Sequence, residues 1–176
     1  MSSALLVIDM QLVAFDGQVT PPIAGGGALL DRVEALVADC RARAIPVIYL
    51  QTKALSGMPY AEDVQGWEIH PQVAPQPKER TLFKVGPSAF ENADLNRHLA
   101  ELGVSRVLVC GIWSEGCIAF TCEDVLKHGY QLTLVADAHG TCREDLADAV
   151  TVVKQQNDAF AAKGADVVTV AALADQ

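Results

Sequence analysis

Three side chains of complementary chemistry follow three apolar segments of this chain. Asp9 closes the segment ALLVID, Lys84 follows TLF, and Cys117 ends the stretch VCGIWSEGC. A thiolate is a nucleophile, a carboxylate can move its proton, and a nearby ammonium group favours thiolate over thiol. Each residue alone also has a structural explanation, because aspartates form turns, lysines end strands and cysteines fill apolar cores. Their combination is what indicates a cysteine nucleophile with an acid–base partner.

The segments that carry these residues alternate between buried strands and helices. Continuous apolar runs predict strands, and apolar residues at helical spacing predict the helices between them. The predicted strands cover residues 4–9, 45–51, 81–85, 105–112, 130–137 and 165–173, and the helices cover 29–44, 92–102, 117–128 and 144–163. This order predicts an α/β fold, a Rossmann-like three-layer α/β/α sandwich with a six-stranded, mostly parallel sheet. Ligands bind such sheets beyond the carboxyl ends of the strands, where the three residues are expected to meet.

The stretch before the predicted helix 117–128 has the features of a catalytic turn. If the helix begins at Cys117, its unpaired N–H groups and the positive end of its dipole face the sulfur. The turn GIWSEGC could direct the backbone N–H groups of Trp113 and Cys117 at a developing oxyanion. Asp9 would accept the thiol proton as general base and return it to a leaving amine as general acid.

The composition limits the compartment and the partners. The 176 residues carry a formal charge of −9, which disfavours nucleic acid and anionic membranes as partners. No stretch approaches the roughly 18 apolar residues that span a bilayer, and the first residues lack the basic segment of a signal peptide, so we expect a cytoplasmic protein. The five cysteines lack zinc-site spacing, and glycines 25–27 do not fit a dinucleotide-binding pattern. A single domain over residues 1–176, without metal or organic cofactor, is therefore expected.

Several motifs resemble the isochorismatase-like cysteine hydrolases, a superfamily that includes nicotinamidases and the carbamoylsarcosine and ureidoacrylate amidohydrolases. The motifs are LLVIDMQ, FKVGPSAF and VLVCGIWSEGC, with GWEIHP and VADAHGT resembling two further segments. The resemblance implies a triad of Asp9, Lys84 and Cys117, in which Cys117 attacks a carbonyl or amide carbon. It also implies a cis peptide bond between Ile112 and Trp113, and a homo-oligomer.

Departures from the family patterns narrow the expected reaction. Ser114, Glu115 and Gly116 stand where the family usually has Thr followed by Asp or Glu before the nucleophile. Nicotinamidases carry an Asp-x-His pair and a later His after the second strand, whereas this chain has QTKALSGMPY and a lone His70. The isochorismatases themselves lack the nucleophilic cysteine. These differences disfavour metal-assisted nicotinamide hydrolysis and vinyl-ether hydrolysis.

Residues near the predicted triad are candidates for binding a small-molecule substrate. They are Gln11, Phe15, Trp67, Ile112, Trp113 and His139. Structural alternatives stay open for several of them: Gln11 could anchor a loop, Phe15 could pack beneath it, and His139 could form hydrogen bonds behind the site. The aromatic residues favour a flat substrate.

We therefore expect a hydrolase that cleaves a C–N bond of a small amide or ureide through a thioester on Cys117. One alternative is a ligand-binding or regulatory protein of the same fold that does not catalyse a reaction. Another is a thiol redox protein in which Cys110 or Cys122 is the resolving partner of Cys117.

Overall fold

A parallel β-sheet forms the centre of the protein in the computed structural model, which describes residues 2–143 and 145–175. Its six strands are β1 (Ser3–Ile8), β2 (Val47–Thr52), β3 (Arg80–Lys84), β4 (Arg106–Ile112), β5 (Gln131–Gly140) and β6 (Asp166–Val168). They lie in the order β3-β2-β1-β4-β5-β6, and every neighbouring pair is parallel. The predicted α/β fold is confirmed, and the sheet expected to be mostly parallel is entirely parallel over the described residues.

Helices cover both faces of this sheet. They are α1 (Gly26–Ala42), α2 (Ala93–Glu101), α3 (Ala119–Lys127), α4 (Leu146–Ala162) and α5 (Val170–Ala174). Residues of α1 and α5 pack into the core on one face, and residues of α2, α3 and α4 pack into the core on the other. No helix within the described parts of the chain is long and apolar enough to cross a membrane.

Strand β1 shows why the sheet is built from continuous apolar runs. Leu5 and Val7 face the core under α1, whereas Leu6 and Ile8 face the opposite core. All four side chains are at most 1% exposed, so both faces of the strand are dry. A central strand covered on both faces needs apolar residues at every position, unlike a strand with one wet face.

Several predicted boundaries differ from the structure, and two of the differences have a clear local cause. The last strand was expected over 165–173, but β6 ends at Val168 and the Thr169 side chain accepts the N–H of Ala172, which caps α5. The third helix was expected from Cys117, but α3 begins at Ala119 after a wide turn, Ser114–Ile118, that is kinked at Gly116. The fourth helix begins at Leu146, and its predicted first residue, Glu144, lies outside the described residues.

Gly111 allows β1 and β4 to pack closely beside the turn. Its φ is +117°, and a Cβ atom there would lie 2.1 Å from the carbonyl oxygen of Ile8. We expect Gly111→Ala to lower the free energy of unfolding by about 3 kcal/mol or more, because both the backbone and the neighbouring strand must shift. Gly129 is a matched control, since its φ is +80° but a Cβ meets no described atom within 4 Å.

Urea unfolding of the two glycine variants measures the contribution of this close contact. Gly129→Ala carries the cost of the backbone conformation alone, which is about 1 kcal/mol. The difference between the two losses is the steric term at Gly111. Equal losses would contradict the close approach of β1 and β4.

Candidate active site

The ends of β1 and β3 and the turn after β4 bring Asp9, Lys84 and Cys117 together. The Nζ atom of Lys84 lies 2.8 Å from Oδ2 of Asp9 and 3.3 Å from Sγ of Cys117. Asp9 and Lys84 are 1% and 2% exposed, whereas Cys117 is partly exposed. Asp9 has a left-handed backbone, with φ at 53°, a conformation that aspartate tolerates better than most residues. The three side chains selected from the sequence therefore form one contact group.

Thr52, which the sequence analysis did not select, connects the carboxylate and the ammonium group. Its hydroxyl donates to Oδ1 of Asp9 at 2.9 Å and accepts from Nζ of Lys84 at 2.9 Å. Lys84 also donates to the carbonyl of Gly86 at 3.2 Å. Thr52 is the last residue of β2, next to β1 in the sheet, so the rule that selected Asp9 and Lys84 would have found it too.

The charges of the group are those of an ion pair beside a neutral thiol. Burial, and then the Asp9 carboxylate, raise the pKa of Cys117 to about 12, although Lys84 opposes them. Burial by itself lowers the pKa of Lys84, but the charges of Asp9 and Cys117 outweigh it, and the pKa stands above its ordinary value. Lys84 favours the thiolate, as the sequence predicts, but burial and Asp9 outweigh it, so the free protein keeps a thiol next to a base.

The turn Ser114–Ile118 places Cys117 at the protein surface above the sheet. The peptide bond between Ile112 and Trp113 is cis. The carbonyl of Trp113 accepts the N–H groups of Gly116 at 3.0 Å and Ile118 at 3.1 Å. These two bonds bracket the N–H of Cys117, one of the two groups predicted to bind an oxyanion.

A pocket of about 220 Å³ opens over the sulfur of Cys117. It is lined by Asp9, Thr52, Tyr60, Val85, Gly86, Pro87, Trp113 and Cys117. Pockets for drug-sized ligands begin at roughly 300 Å³, so this one suits a smaller molecule or one branch of a larger one. Of the predicted substrate-binding residues, Trp113 lines it. A larger groove of about 800 Å³ lies at the other end of β2, far from these groups, so volume alone would point to the wrong place.

Gln11 and Trp67 lie behind the pocket and hold Thr52 in place. The Gln11 amide donates to the carbonyls of Trp67 at 2.8 Å and Thr52 at 3.1 Å, and accepts the N–H of Thr52 at 2.9 Å. The indole N–H of Trp67 donates to the Thr52 carbonyl at 3.0 Å, and its ring stacks on Phe83. Gln11 is fully buried and does not line the pocket, and its amide is bonded to the backbone on both sides of the loop.

Phe15 and Ile112 also serve packing rather than the pocket. Phe15 meets His70 edge to face at a centroid distance of 5.4 Å, and Ile112 is fully buried in the core under α1.

His70 has no group of metal-ligating side chains around it: residues 2–143 and 145–175 contain no cluster of three or more His, Cys, Asp or Glu side chains arranged for a metal ion.

His139 supports the turn from below instead of lining the pocket. Its Nδ1 atom lies 2.9 Å from Oγ of Ser114, and its Nε2 atom lies 3.0 Å from Oδ1 of Asn157. The amide of Asn157 is oriented by its donation to the carbonyl of Ala136 at 2.9 Å. Nε2 of His139 must therefore carry the proton, and Ser114 donates to Nδ1. Burial lowers the pKa of His139, so the ring stays neutral in this network.

We expect Asn157→Asp to make the turn sensitive to mild acid. A carboxylate beside Nε2 stabilises the imidazolium form and raises the pKa of His139, with the charge of Asp137 acting in the same direction. A protonated ring donates from both nitrogen atoms, which reverses the bond to Ser114. The rate of Cys117 alkylation by iodoacetamide, taken relative to wild type at each pH, should then fall as the pH drops through the raised pKa of His139.

The control for this change is Asn96→Asp, at an exposed site where Asn96 accepts from Tyr130. This variant should keep the wild-type pH profile. An unchanged profile in Asn157→Asp would contradict the role of the His139 network in holding the turn.

The chain is similar to known proteins over nearly its whole length. A family model described as the isochorismatase domain matches residues 3–172. A streptothricin hydrolase of Streptomyces noursei is 33% identical over 168 residues, which are 93% of this chain and 60% of the relative, so the chain spans under two thirds of that protein. An uncharacterized isochorismatase family protein of Bacillus subtilis, YddQ, is 32% identical over 165 residues, covering 92% of this chain and 91% of the relative.

The fold agrees with solved structures as well. The crystal structure of an isochorismatase from Pseudomonas putida KT2440 superposes with a TM-score of 0.88 at 25% identity, over 97% of this chain and 89% of that chain. With a family model that matches nearly the whole sequence, and relatives of over 30% identity, the chain belongs to the isochorismatase family.

Proposed function

We propose that this protein is a cysteine hydrolase that cleaves the C–N bond of a small amide or ureide through a thioester on Cys117. The observation that carries the proposal is one contact group. A partly exposed thiol lies 3.3 Å from the ammonium group of Lys84, which is itself paired with Asp9 at 2.8 Å, and both Cys117 and Asp9 line one pocket. A nucleophile, an acid–base group and an electrostatic partner are the parts that acyl transfer needs.

In the first step, Sγ of Cys117 bonds to the carbonyl carbon of the substrate while Asp9 takes the thiol proton. The carbonyl electrons move to oxygen, where the N–H groups of Trp113 and Cys117 can bind the negative charge. Asp9 then gives its proton to the leaving nitrogen, the C–N bond breaks, and ammonia or an amine departs. Water then hydrolyses the thioester by the same steps in reverse. Asp9 takes a proton from water, the water oxygen attacks the thioester carbon, and the carboxylic acid leaves as Asp9 returns the proton to the sulfur of Cys117.

Asp9 must act as a base in this scheme because the thiol does not ionise by itself. With a pKa of about 12, the free Cys117 is a thiol at neutral pH. Lys84 stays protonated beside Asp9, and Thr52 keeps the carboxylate oriented by its hydrogen bond to Oδ1. The proton therefore has a fixed acceptor at the moment of attack.

The test is ammonia release from a panel of small amides, ureides and carbamoyl compounds, with wild type and Cys117→Ala assayed side by side. Release by the wild type alone supports the hydrolase and identifies the substrate class. Equal release by both proteins would contradict a thioester on Cys117. The small-molecule substrate, the homo-oligomer and the cytoplasmic location stay predictions.

The alternative of a thiol redox protein is weakened by the positions of its proposed partners. Cys110 and Cys122 are both fully buried, and they lie in the two opposite cores of the sandwich. Burial raises the pKa of each thiol, which makes both unreactive. A ligand-binding protein without catalysis keeps the same pocket, and binding of a panel compound without its hydrolysis would favour it.

A further inference from the structure

Tyr60 is a residue of the pocket whose hydroxyl the triad does not use. Tyr60 lines the pocket together with Asp9 and Cys117. Its oxygen is buried and has no hydrogen-bond partner among residues 2–143 and 145–175. Buried hydroxyl groups are rarely left unpaired, and an unpaired one costs stability, so this group calls for a functional explanation.

The loop after β2 holds Tyr60 in this position. The carbonyl of Tyr60 accepts the N–H of Ala54 at 3.1 Å, and Ala54 pairs with Ala61 in a short bridge. The backbone of Tyr60 has φ at +68°, a conformation that costs energy for a residue with a side chain and is often retained at functional sites. Its ring meets Trp113 edge to face, at a centroid distance of 6.4 Å and an angle of 79°.

The hydroxyl of Tyr60 stays protonated at physiological pH. Burial raises the pKa of the phenol, and the charges of Asp9 and Cys117 raise it further. A neutral phenol offers one hydrogen to an acceptor. Tyr60 thus offers a hydrogen bond for which the described protein groups provide no acceptor.

The charges in the pocket define the kind of molecule that fits. Among the described lining residues Asp9 is the charged side chain, and Lys84 compensates it at 2.8 Å. The remaining walls include the apolar side chains of Val85 and Pro87 and the ring of Trp113. Neither an anion nor a cation finds an unpaired opposite charge in this pocket, whereas a flat, neutral group finds apolar walls and one donor.

We propose that Tyr60 is a specificity-determining residue whose hydroxyl donates a hydrogen bond to the oxygen of a neutral, planar amide bound beside Cys117. The inference rests on the proposed function, because it takes Cys117 as the group that attacks the bound amide. It assigns the substrate class as uncharged at the reacting end, and it gives a role to a buried hydroxyl that has no partner among the described protein groups.

The test compares two alkylating probes of Cys117 in wild type and Tyr60→Phe. Iodoacetamide is a small neutral amide with a carbonyl acceptor, and iodoethane has the same leaving group but no acceptor. The second-order rate constant for Cys117, followed by mass spectrometry, should fall about tenfold for iodoacetamide, the value of one neutral hydrogen bond, and stay unchanged for iodoethane. Equal slowing of both probes, or no slowing of either, would overturn the proposal.

Tyr130→Phe is the matched control, because it removes a hydroxyl that donates to Asn96 at an exposed site far from the pocket. Both rate constants should match wild type in this variant. Tyr60→Phe should also keep or raise the melting temperature, since it removes an unpaired buried group. The probes need no turnover: a failed hydrolase proposal shows as no ammonia release with the probe difference intact, whereas a failed Tyr60 proposal shows as no probe difference.

Discussion

Replacement of Asp9 by Asn is expected to lower kcat for amide hydrolysis at pH 7 by about 10²–10⁴-fold, the usual contribution of a general base. The reason is the state of the nucleophile. The pKa of Cys117 is about 12, so the protein lacks a stored thiolate and needs Asp9 to take the proton during attack. Asparagine keeps the shape of the side chain and its place beside Thr52, but it cannot accept that proton.

The pH profile separates this explanation from simple damage to the site. Without Asp9, the attacking thiolate must form by ionisation into solvent, so kcat of Asp9→Asn should rise about tenfold per pH unit across the alkaline range. Removal of the Asp9 charge also lowers the pKa of Cys117, which helps this recovery. Asp63→Asn, at an exposed carboxylate in the loop near the pocket, is the control and should match wild type. A flat alkaline profile in Asp9→Asn would contradict the base role.

Lys84→Met is expected to lower the free energy of unfolding by about 3–5 kcal/mol and to abolish activity. Lys84 and Asp9 are both almost completely buried and form an ion pair of 2.8 Å. Methionine fills a similar volume but leaves the Asp9 carboxylate without its compensating charge in a dry site. That uncompensated charge, more than the lost contact, sets the size of the effect.

Urea unfolding at pH 7 measures the loss, with Lys53→Met as the control. Lys53 pairs with Glu62 at the surface, where the two side chains are 46% and 57% exposed, so its loss should cost no more than about 1 kcal/mol. The raised pKa of Lys84 gives the sign of the pH dependence. Its contribution is complete below the ordinary lysine pKa and is lost as the pH rises through the higher folded value. A loss like that of Lys53→Met would contradict the buried pair.

The sequence predicts the fold well where burial on both faces permits only apolar residues. The β1 and β4 segments are continuously apolar because helices cover both faces, and the residues that follow such strands meet at one edge of the sheet. Asp9, Lys84 and Cys117 follow such strands in the sequence and lie together in the structure. The predicted extent of the last strand is wrong because the apolar run after Val168 fits a strand as well as a helix. The capping bond of Thr169 favours the helix.

The details of the site depended on contacts that the sequence does not display. Gln11 and Trp67 have polar atoms that suit a substrate, but in both residues these atoms form hydrogen bonds with the backbone around Thr52. Tyr60 lies in a loop whose apolar residues follow no helix or strand period, so no sequence pattern predicts that it lines the pocket. The pKa of Cys117 also depends on distances in the folded chain, because burial and the Asp9 charge raise it and Lys84 lowers it.

The pairing of β1 with β4 also sets the order in which the protein can mature. Ser3 pairs with Arg106 and Ile8 with Gly111, so the two central strands join segments from distant parts of the chain. Pairings of such long sequence separation form slowly, because the intervening loop must be closed before the contacts stabilise it. Helices form from neighbouring residues, whereas the acid–base group and the nucleophile meet only after the two halves of the chain have joined. The reactivity of Cys117 beside Asp9 therefore reports that β1 and β4, from the two halves of the chain, have paired.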